Sequence, residues 1–417
     1  MFETLRSVLR LRRFEFDPIT RRLNRVSNVG DLRRLAQRRL PRGVFDYIDG
    51  GAEDEISLAR NTAGFDDIEF RPRVLRDVSE IDPSAHVLGR PLPIPVILAP
   101  TGFARMADSQ GELAVARAAA RARLPYTLST LSTRSLEEVA DASDSVTRSM
   151  SGAPLEERRR WFQVYVWKDR GLMKDLLARA RESHYEAIVI TVDTAVLGRR
   201  ERDVRRGFTI PPKIGADTLI DGLLHPAWTW AFLRAEPIRF ANVVGRRDED
   251  GSSAIKLADH INSQFSQALS WRDIEWFQNA WDGPVILKGI QSVEDARTAA
   301  GLGVAAIALS NHGGRQLDGA PPPIELVAPV ADAVGGVTEI HCDGGIRRGS
   351  DVVKAVALGA TACWVGRAHF YALGAAGERG VDWVLDFLGD GIRQTLALIG
   401  CKSLADVTPD RVRRRSS

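Results

Sequence analysis

The chain has 417 residues, which at roughly 150 residues per domain suggests two or three units, although α/β barrels above about 250 residues often form one. Lysine plus arginine number 57 against 54 acidic residues, a net charge of +3 that is too small over this length to mark a nucleic-acid binder. Hydrophobic residues at 44% and charged residues at 27% match ordinary globular usage, which disfavours disordered architectures, and no apolar run approaches the ~18–20 residues of a membrane span.

The charge is unevenly spread along the chain. Residues 1–45 hold 12 arginines against four acids, so residues 1–27 read as a basic N-terminal arm, either solvated or lying on an anionic membrane surface or a partner. Arginines interrupt the apolar residues of 2–16, which disfavours a signal peptide and leaves a transit peptide as a third alternative for the arm; the expected location is cytoplasmic, with peripheral contact to the inner face of the cell membrane where the arm lies on a membrane. Val29–Arg39 reads as a helix and residues 45–60 as another, after which Pro91, Pro93 and Pro95 stiffen the chain.

From residue 95 onward, short β-rich runs alternate with helical patterns, the mark of βα units and a parallel sheet. Eight runs stand out: 95–101 (PVILAPT), 126–130 (YTLST), 161–166 (WFQVYV), 187–193 (AIVITVD), 284–289 (PVILKG), 306–311 (AIALSN), 339–344 (EIHCDG) and 362–367 (ACWVGR). Amphipathic stretches at 111–124, 135–142, 293–302 and 350–358 lie between them, with helix caps expected at Ser109 and Ser350. Eight units predict a TIM (β/α)8 barrel with an N-terminal helical segment. Residues 194–283 are far too long for an ordinary βα connection and predict a lid-like insertion after the fourth strand, with a helix at 219–233 and a loop at 246–253. Residues 401–417, with Arg411, Arg413, Arg414 and Arg415, read as a basic C-terminal tail. Cys342, Cys363 and Cys401 are an odd number without C-x-x-C spacing, so no disulfide framework or cysteine-based metal site is expected.

A barrel builds its active site at the C-terminal ends of its strands. Those ends carry Pro100 and Thr101, Ser129, Gln163 and Tyr165, Thr191 and Asp193, Lys288, Ser310 and His312, Asp343 and Gly345, and Gly366 and Arg367. Gly301, Gly303 and Ala306 match the loose dinucleotide pattern G-x-G-x-x-A, but a helix precedes them and a strand follows, so they form an αβ loop. His86, His184, His225, His260, His341 and His369 read as structural. His312 differs, because two glycines follow it and Arg315 comes three residues on, placing a base beside a guanidinium that can clamp a carboxylate. Gly345, Arg347, Gly366 and Arg367 follow the last two strands, the usual barrel position for a phosphate. Proton abstraction beside a phosphate site fits FMN or pyridoxal phosphate, and Lys288 could serve either.

The motifs FDYIDGGAEDE, WFQVYVWKDR, TVDTAVLGRRERD, VILKGI, SNHGGRQLDG, CDGGIRRGSDVVKAVALGA and WVGR resemble the FMN-dependent α-hydroxy acid dehydrogenase and oxidase family over about residues 28–400, with a pattern most similar to bacterial quinone-linked L-lactate dehydrogenases. The resemblance implies FMN as cofactor, a small 2-hydroxy acid as substrate, a quinone or another electron acceptor, and a homotetramer. It implies that His312 is the base with Asp193 behind it, that Arg315, Arg200 and Tyr47 bind the substrate carboxylate, and that Tyr165 contacts the substrate hydroxyl. It further implies that Lys288 sits near flavin N1, that Pro100, Thr101 and Gly102 contact the ring near N5, and that Ser129, Gln163 and Thr191 hold the isoalloxazine. Ser310 belongs to the same cofactor set, Asp343 would bind the ribityl chain, and Gly345, Arg347, Gly366 and Arg367 the phosphate. Two departures stand out: Gly102 replaces a common alanine, which opens room for oxygen or a bulkier substrate, and Leu131 replaces a tryptophan of glycolate oxidase, which favours lactate over glycolate.

Overall fold

Eight strands, β1 (Val96–Leu98), β2 (Tyr126–Ser129), β3 (Arg160–Tyr165), β4 (Ala187–Thr191), β5 (Val285–Ile290), β6 (Ala306–Ser310), β7 (Glu339–Asp343) and β8 (Ala362–Val365), pair in parallel and in sequence order, and β8 pairs back onto β1 to close the barrel. This computed structural model describes residues 15–150, 158–205, 215–243 and 267–415. Each strand overlaps one of the eight predicted runs. The strands read as nearly continuous apolar runs because both of their faces are buried, one inside the barrel and one under the helices.

The two-residue period of a strand explains how an apolar barrel comes to carry a polar rim. Ile97, Trp161, Val189, Ile286, Ala308 and Trp364 form an apolar cluster separate from the main core. Two residues further along the same faces come Gln163, Thr191, Lys288 and Ser310, all buried. A hairpin of Ala85–Val87 and Arg90–Leu92 contributes Val87 and Leu92 to that apolar cluster.

Several local expectations are corrected. The helix predicted over 45–60 is two, Arg42–Asp49 and Ile56–Asp66. The break lets the backbone dock on the loop after β6, where Ala52 N–H donates to Gly314 O at 2.8 Å and a Cβ on Gly51 would sit 2.9 Å from that same oxygen. The helix predicted over 219–233 is also two, Ala216–Leu224 and Pro226–Arg234, because Pro226 starts a new helix at its first position. The expected caps at Ser109 and Ser350 are Gly111 and Arg348 instead. The expected loop at 246–253 lies outside the described residues, as does most of the arm; the part described includes Pro18–Leu23, whose capping Asp17 pairs with Arg379. The basic C-terminal stretch is tied to the body, since Val412–Arg414 pairs antiparallel with Ile68–Phe70. Cys342, Cys363 and Cys401 are free and buried.

Between β4 and β5 the described part of the insertion is pinned over the rim. Trp228 Nε1 donates to Met106 O at 2.7 Å, and Asn242 accepts from Leu136 N at 2.9 Å and donates to Ser132 Oγ at 2.8 Å.

Candidate active site

His312 owes its place to an unusual stretch of backbone. After β6, His312, Gly313 and Gly314 all adopt left-handed φ values of 56°, 65° and 73°, a strained conformation for histidine of the kind that clusters at functional sites. The turn is held by Asn311, whose side chain exchanges two hydrogen bonds with that of Asn61 at 2.7 and 2.8 Å and accepts from Gly314 N at 3.0 Å. The imidazole Nδ1 lies 3.0 Å from Asp193 Oδ1. A carboxylate accepts, so Nδ1 carries the hydrogen and the Nε2 lone pair is left for the cleft that His312 lines. Asp193 is buried behind it, and its Oδ2 has no hydrogen-bond partner among the described residues. Gly289 makes this possible: its φ is 109°, and a Cβ there would stand 2.8 Å from Asp193 Cβ.

Lys288 is the second buried charge. Its Nζ lies 2.7 Å from Asp343 Oδ2 and donates to Ser310 Oγ at 3.0 Å, while Ser310 donates to Asp343 at 2.7 Å and accepts from His312 N at 3.0 Å. Burial opposes the ammonium charge, but the neighbouring Asp343 and Asp193 carboxylates outweigh it and hold its pKa above the usual lysine value. The lysine is therefore a fixed positive charge at neutral pH. Next to it, Ser129, Gln163 and Thr191 form a polar floor, with Gln163 Nε2 donating to Thr191 Oγ1 at 2.9 Å and Oε1 accepting from Ser129 Oγ at 3.2 Å.

The N-terminal cap closes one side. Arg315 stacks over the Tyr47 ring at 5.0 Å and donates to the carbonyls of Tyr47 and Gly50 at 2.7 and 2.9 Å. Burial, and then the positive Arg200 beside it, push the Arg315 pKa down to about 9, so the cation persists at neutral pH but gains from any anion placed next to it. Tyr165 and Tyr47 line the same space, their phenol pKa values raised chiefly by burial. The apolar wall comes from Leu131, Phe103, Leu197 and Phe240, with Phe240 edge-on to Phe103 at 4.9 Å.

At the far end of the cleft, Gly344 and Gly345 expose backbone in φ regions of 124° and 82°, and Arg347 and Arg367 flank them. A Cβ on Gly345 would sit 1.8 Å from Asn61 O, so only glycine fits. Arg367 donates to Gly50 O and Gly313 O, both at 2.7 Å. Among the described residues neither guanidinium has a carboxylate within 4 Å. Two cations with no ion-paired carboxylate among the described residues, glycine backbone and the N-terminus of helix Arg367–Ala376 suit a phosphate, and the polar floor with the Lys288 charge suits a flat heteroaromatic ring. The residues present therefore fit FMN.

Most residues singled out from the sequence line this one cleft: Tyr47, Pro100, Thr101, Gly102, Ser129, Leu131, Gln163, Tyr165, Thr191, Arg200, Lys288, His312, Arg315, Asp343, Gly345, Arg347, Gly366 and Arg367. Ser310 and Asp193 do not line it and instead hold Lys288 and His312 from behind. Asn61, Phe103, Leu197 and Phe240 escaped the sequence reading. Phe240 lies in an insertion without a motif, and Asn61 sits on a helix that only the fold brings to the rim.

The fold and the site define a barrel flavoprotein that handles a small anionic substrate. The model of the FMN-dependent dehydrogenase family matches residues 36–414, and the chain belongs to that family, with FMN as its cofactor and the oxidation of a 2-hydroxy acid as its chemistry. A relative from Mycobacterium tuberculosis is 42% identical over 408 residues, covering 98% of this chain and 94% of its own. The L-lactate dehydrogenase of Caulobacter vibrioides is 41% identical, covering 92% of this chain and 96% of its own. Among solved structures, (S)-mandelate dehydrogenase, described as a monotopic membrane protein, superimposes with a TM-score of 0.86 at 39% identity, covering 94% of this chain and 100% of that one. A mandelate oxidase superimposes at 0.77 with 38% identity, covering 93% and 98%.

Proposed function

We propose that the chain oxidises L-lactate to pyruvate and passes the electrons to a membrane quinone. The observation that carries the reading is the His312–Asp193 pair, whose second imidazole nitrogen has no partner among the described residues, in a cleft that also holds the Arg315 cation. Arg315, Arg200 and Tyr47 bind the substrate carboxylate, and Tyr165 contacts the hydroxyl. His312 Nε2 takes up the proton that leaves the substrate, and Asp193 stabilises the imidazolium so formed. FMN, when bound, supplies the two-electron sink, held by Pro100, Thr101, Gly102, Ser129, Gln163 and Thr191 along the ring, Asp343 at the ribityl chain, and Gly345, Arg347, Gly366 and Arg367 at the phosphate. Lys288 would stand beside the ring as a fixed positive charge and favour its reduced, anionic form.

The quinone reading draws support from the surface. Leu219, Ile220, Leu223, Leu224, Trp230 and Leu233 are between 59% and 77% exposed on the two short helices of the insertion, a patch suited to the plane of a bilayer. Among the described residues no helix is long and apolar enough to cross a membrane, so the contact is peripheral. A homotetramer and a cytoplasmic location complete the proposal.

A second reading, a larger hydroxy acid such as mandelate, is favoured by the apolar wall and by Gly102, where a methyl would approach Leu131 O at 3.3 Å. Steady-state turnover of a panel of 2-hydroxy acids with a quinone analogue, oxygen and a soluble dye separates the readings. Lactate with the quinone analogue should give the highest kcat/KM. Mandelate preferred over lactate selects the second reading, and oxygen outpacing the quinone analogue refutes the acceptor.

A further inference from the structure

Arg200 reaches the cleft from the root of the insertion, which Gln316 ties to the loop after β6 through Gly198 N at 3.0 Å and the carbonyls of Asp193 and Val196 at 2.9 and 2.8 Å. Beyond that tie it precedes a helix of five residues, Glu201–Arg205, none of which is buried, so no apolar core fixes the helix that follows it. Its own acidic partner, Asp203, stands 3.7 Å away, and Arg315 across the pocket repels it. An anion site built from two close guanidiniums tends to open when empty, and something must oppose that tendency.

Arg202, two residues further on, turns to the opposite side. Its Nη1 lies 2.9 Å from Asp49 Oδ2, and its Nη2 pairs with Glu55. Both acids are pre-set. Asp49 is held by Arg33, through Nε at 2.5 Å and Nη2 at 2.7 Å, and by the Tyr371 hydroxyl at 2.7 Å, while Glu55 accepts from Gly51 N at 2.9 Å. Burial works against the Asp49 charge, but these donors outweigh it and pull its pKa down to about 2. The residue after Asp49 is Gly50, whose carbonyl takes both Arg315 and Arg367. One backbone bond joins the same two segments, from Glu53 N to Arg199 O at 2.9 Å.

We propose that Arg202 is a positioning residue whose ion pairs with Asp49 and Glu55 latch the root of the insertion onto the N-terminal cap and so hold Arg200 at the substrate carboxylate. The latch deepens the proposed function and rests on its assignment of Arg200 and Arg315 to that carboxylate. It acts on binding of the acid and leaves the reacting groups, His312 and Asp193, in place.

The test compares the holoenzyme with Arg202→Ala and Arg202→Lys, measuring L-lactate turnover with a soluble dye, binding of the unreactive dicarboxylate oxalate by calorimetry, FMN content and melting temperature. In Arg202→Ala the KM for L-lactate and the Kd for oxalate should each rise about tenfold, with kcat within about twofold of wild type and FMN content unchanged. Arg202→Lys should recover most of the loss, since an ammonium can still reach one of the two acids. Unchanged KM and oxalate Kd in the alanine variant overturn the latch. So does a joint fall of kcat, FMN content and melting temperature without rescue by lysine, the pattern of a merely structural pair. A wild-type holoenzyme that neither binds oxalate nor oxidises L-lactate overturns the carboxylate reading, and the latch with it.

Discussion

Both ends of the barrel hold a histidine beside a carboxylate, and the difference between them separates structure from chemistry. Near the N-terminal end, His341 Nε2 lies 3.1 Å from Glu339, its Nδ1 accepts from Trp364 Nε1 at 3.1 Å, and the ring stacks on Trp161 at 6.3 Å with no exposed side-chain surface. Both nitrogens are used, so the ring is a fully satisfied core group. At the C-terminal end, the His312 ring is bonded, among the described residues, through Nδ1 alone, and its side chain is 26% exposed. A histidine–acid pair therefore defines neither site by itself; what matters is whether one nitrogen is left facing a cavity.

Four substitutions can break or sharpen that contrast. The largest effect is expected for His312→Ala, which should lower the rate of flavin reduction by substrate by about 10³–10⁴-fold while FMN stays bound, as read by anaerobic stopped-flow absorbance. Asp193→Asn should cost on the order of 10²–10³-fold in the same rate, because the amide no longer enforces the Nδ1–H tautomer. At the other end, His341→Ala should leave kcat within about twofold but destabilise the fold by roughly 2–4 kcal/mol, since Glu339 and Trp364 Nε1 lose a buried partner and a cavity opens. A lower melting temperature with normal turnover is the outcome to look for, and a turnover loss matching that of His312→Ala would erase the contrast. The smallest effect belongs to Gly102→Ala: its methyl would fit tightly against Leu131 O at 3.3 Å and in ordinary contact with the Tyr47 hydroxyl at 3.5 Å, so kcat/KM for mandelate should fall a few-fold and that for lactate by less than about twofold.

Much of this contrast was legible in the sequence, for identifiable reasons. Parallel strands are apolar on both faces, so the polar residues that end them, such as Lys288, Asp343 and His312, stand out without any knowledge of the fold. The eight strands emerged by the same logic. What stayed hidden depends on contacts between distant segments. The break at Gly50 and Gly51 exists because the cap docks on Gly314, 263 residues away by number. The left-handed backbone of His312 is imposed by the Asn61–Asn311 pair. Ser310 stands in the cofactor set that the resemblance implies, and only the fold shows that its hydroxyl also bonds Lys288, Asp343 and the His312 amide. Arg202 reads as one more charge in a basic run until Asp49 and Glu55 are brought beside it.

Anaerobic mixing of the FMN-loaded protein and of its His312→Ala variant with L-lactate tests the central claim most directly. Flavin absorbance should bleach rapidly in the wild type and remain essentially unchanged over the same interval in the variant, with equal FMN content in both. Bleaching of the variant at the wild-type rate would contradict the assignment of His312 as the base, and absence of bleaching in the wild type would contradict lactate as the substrate.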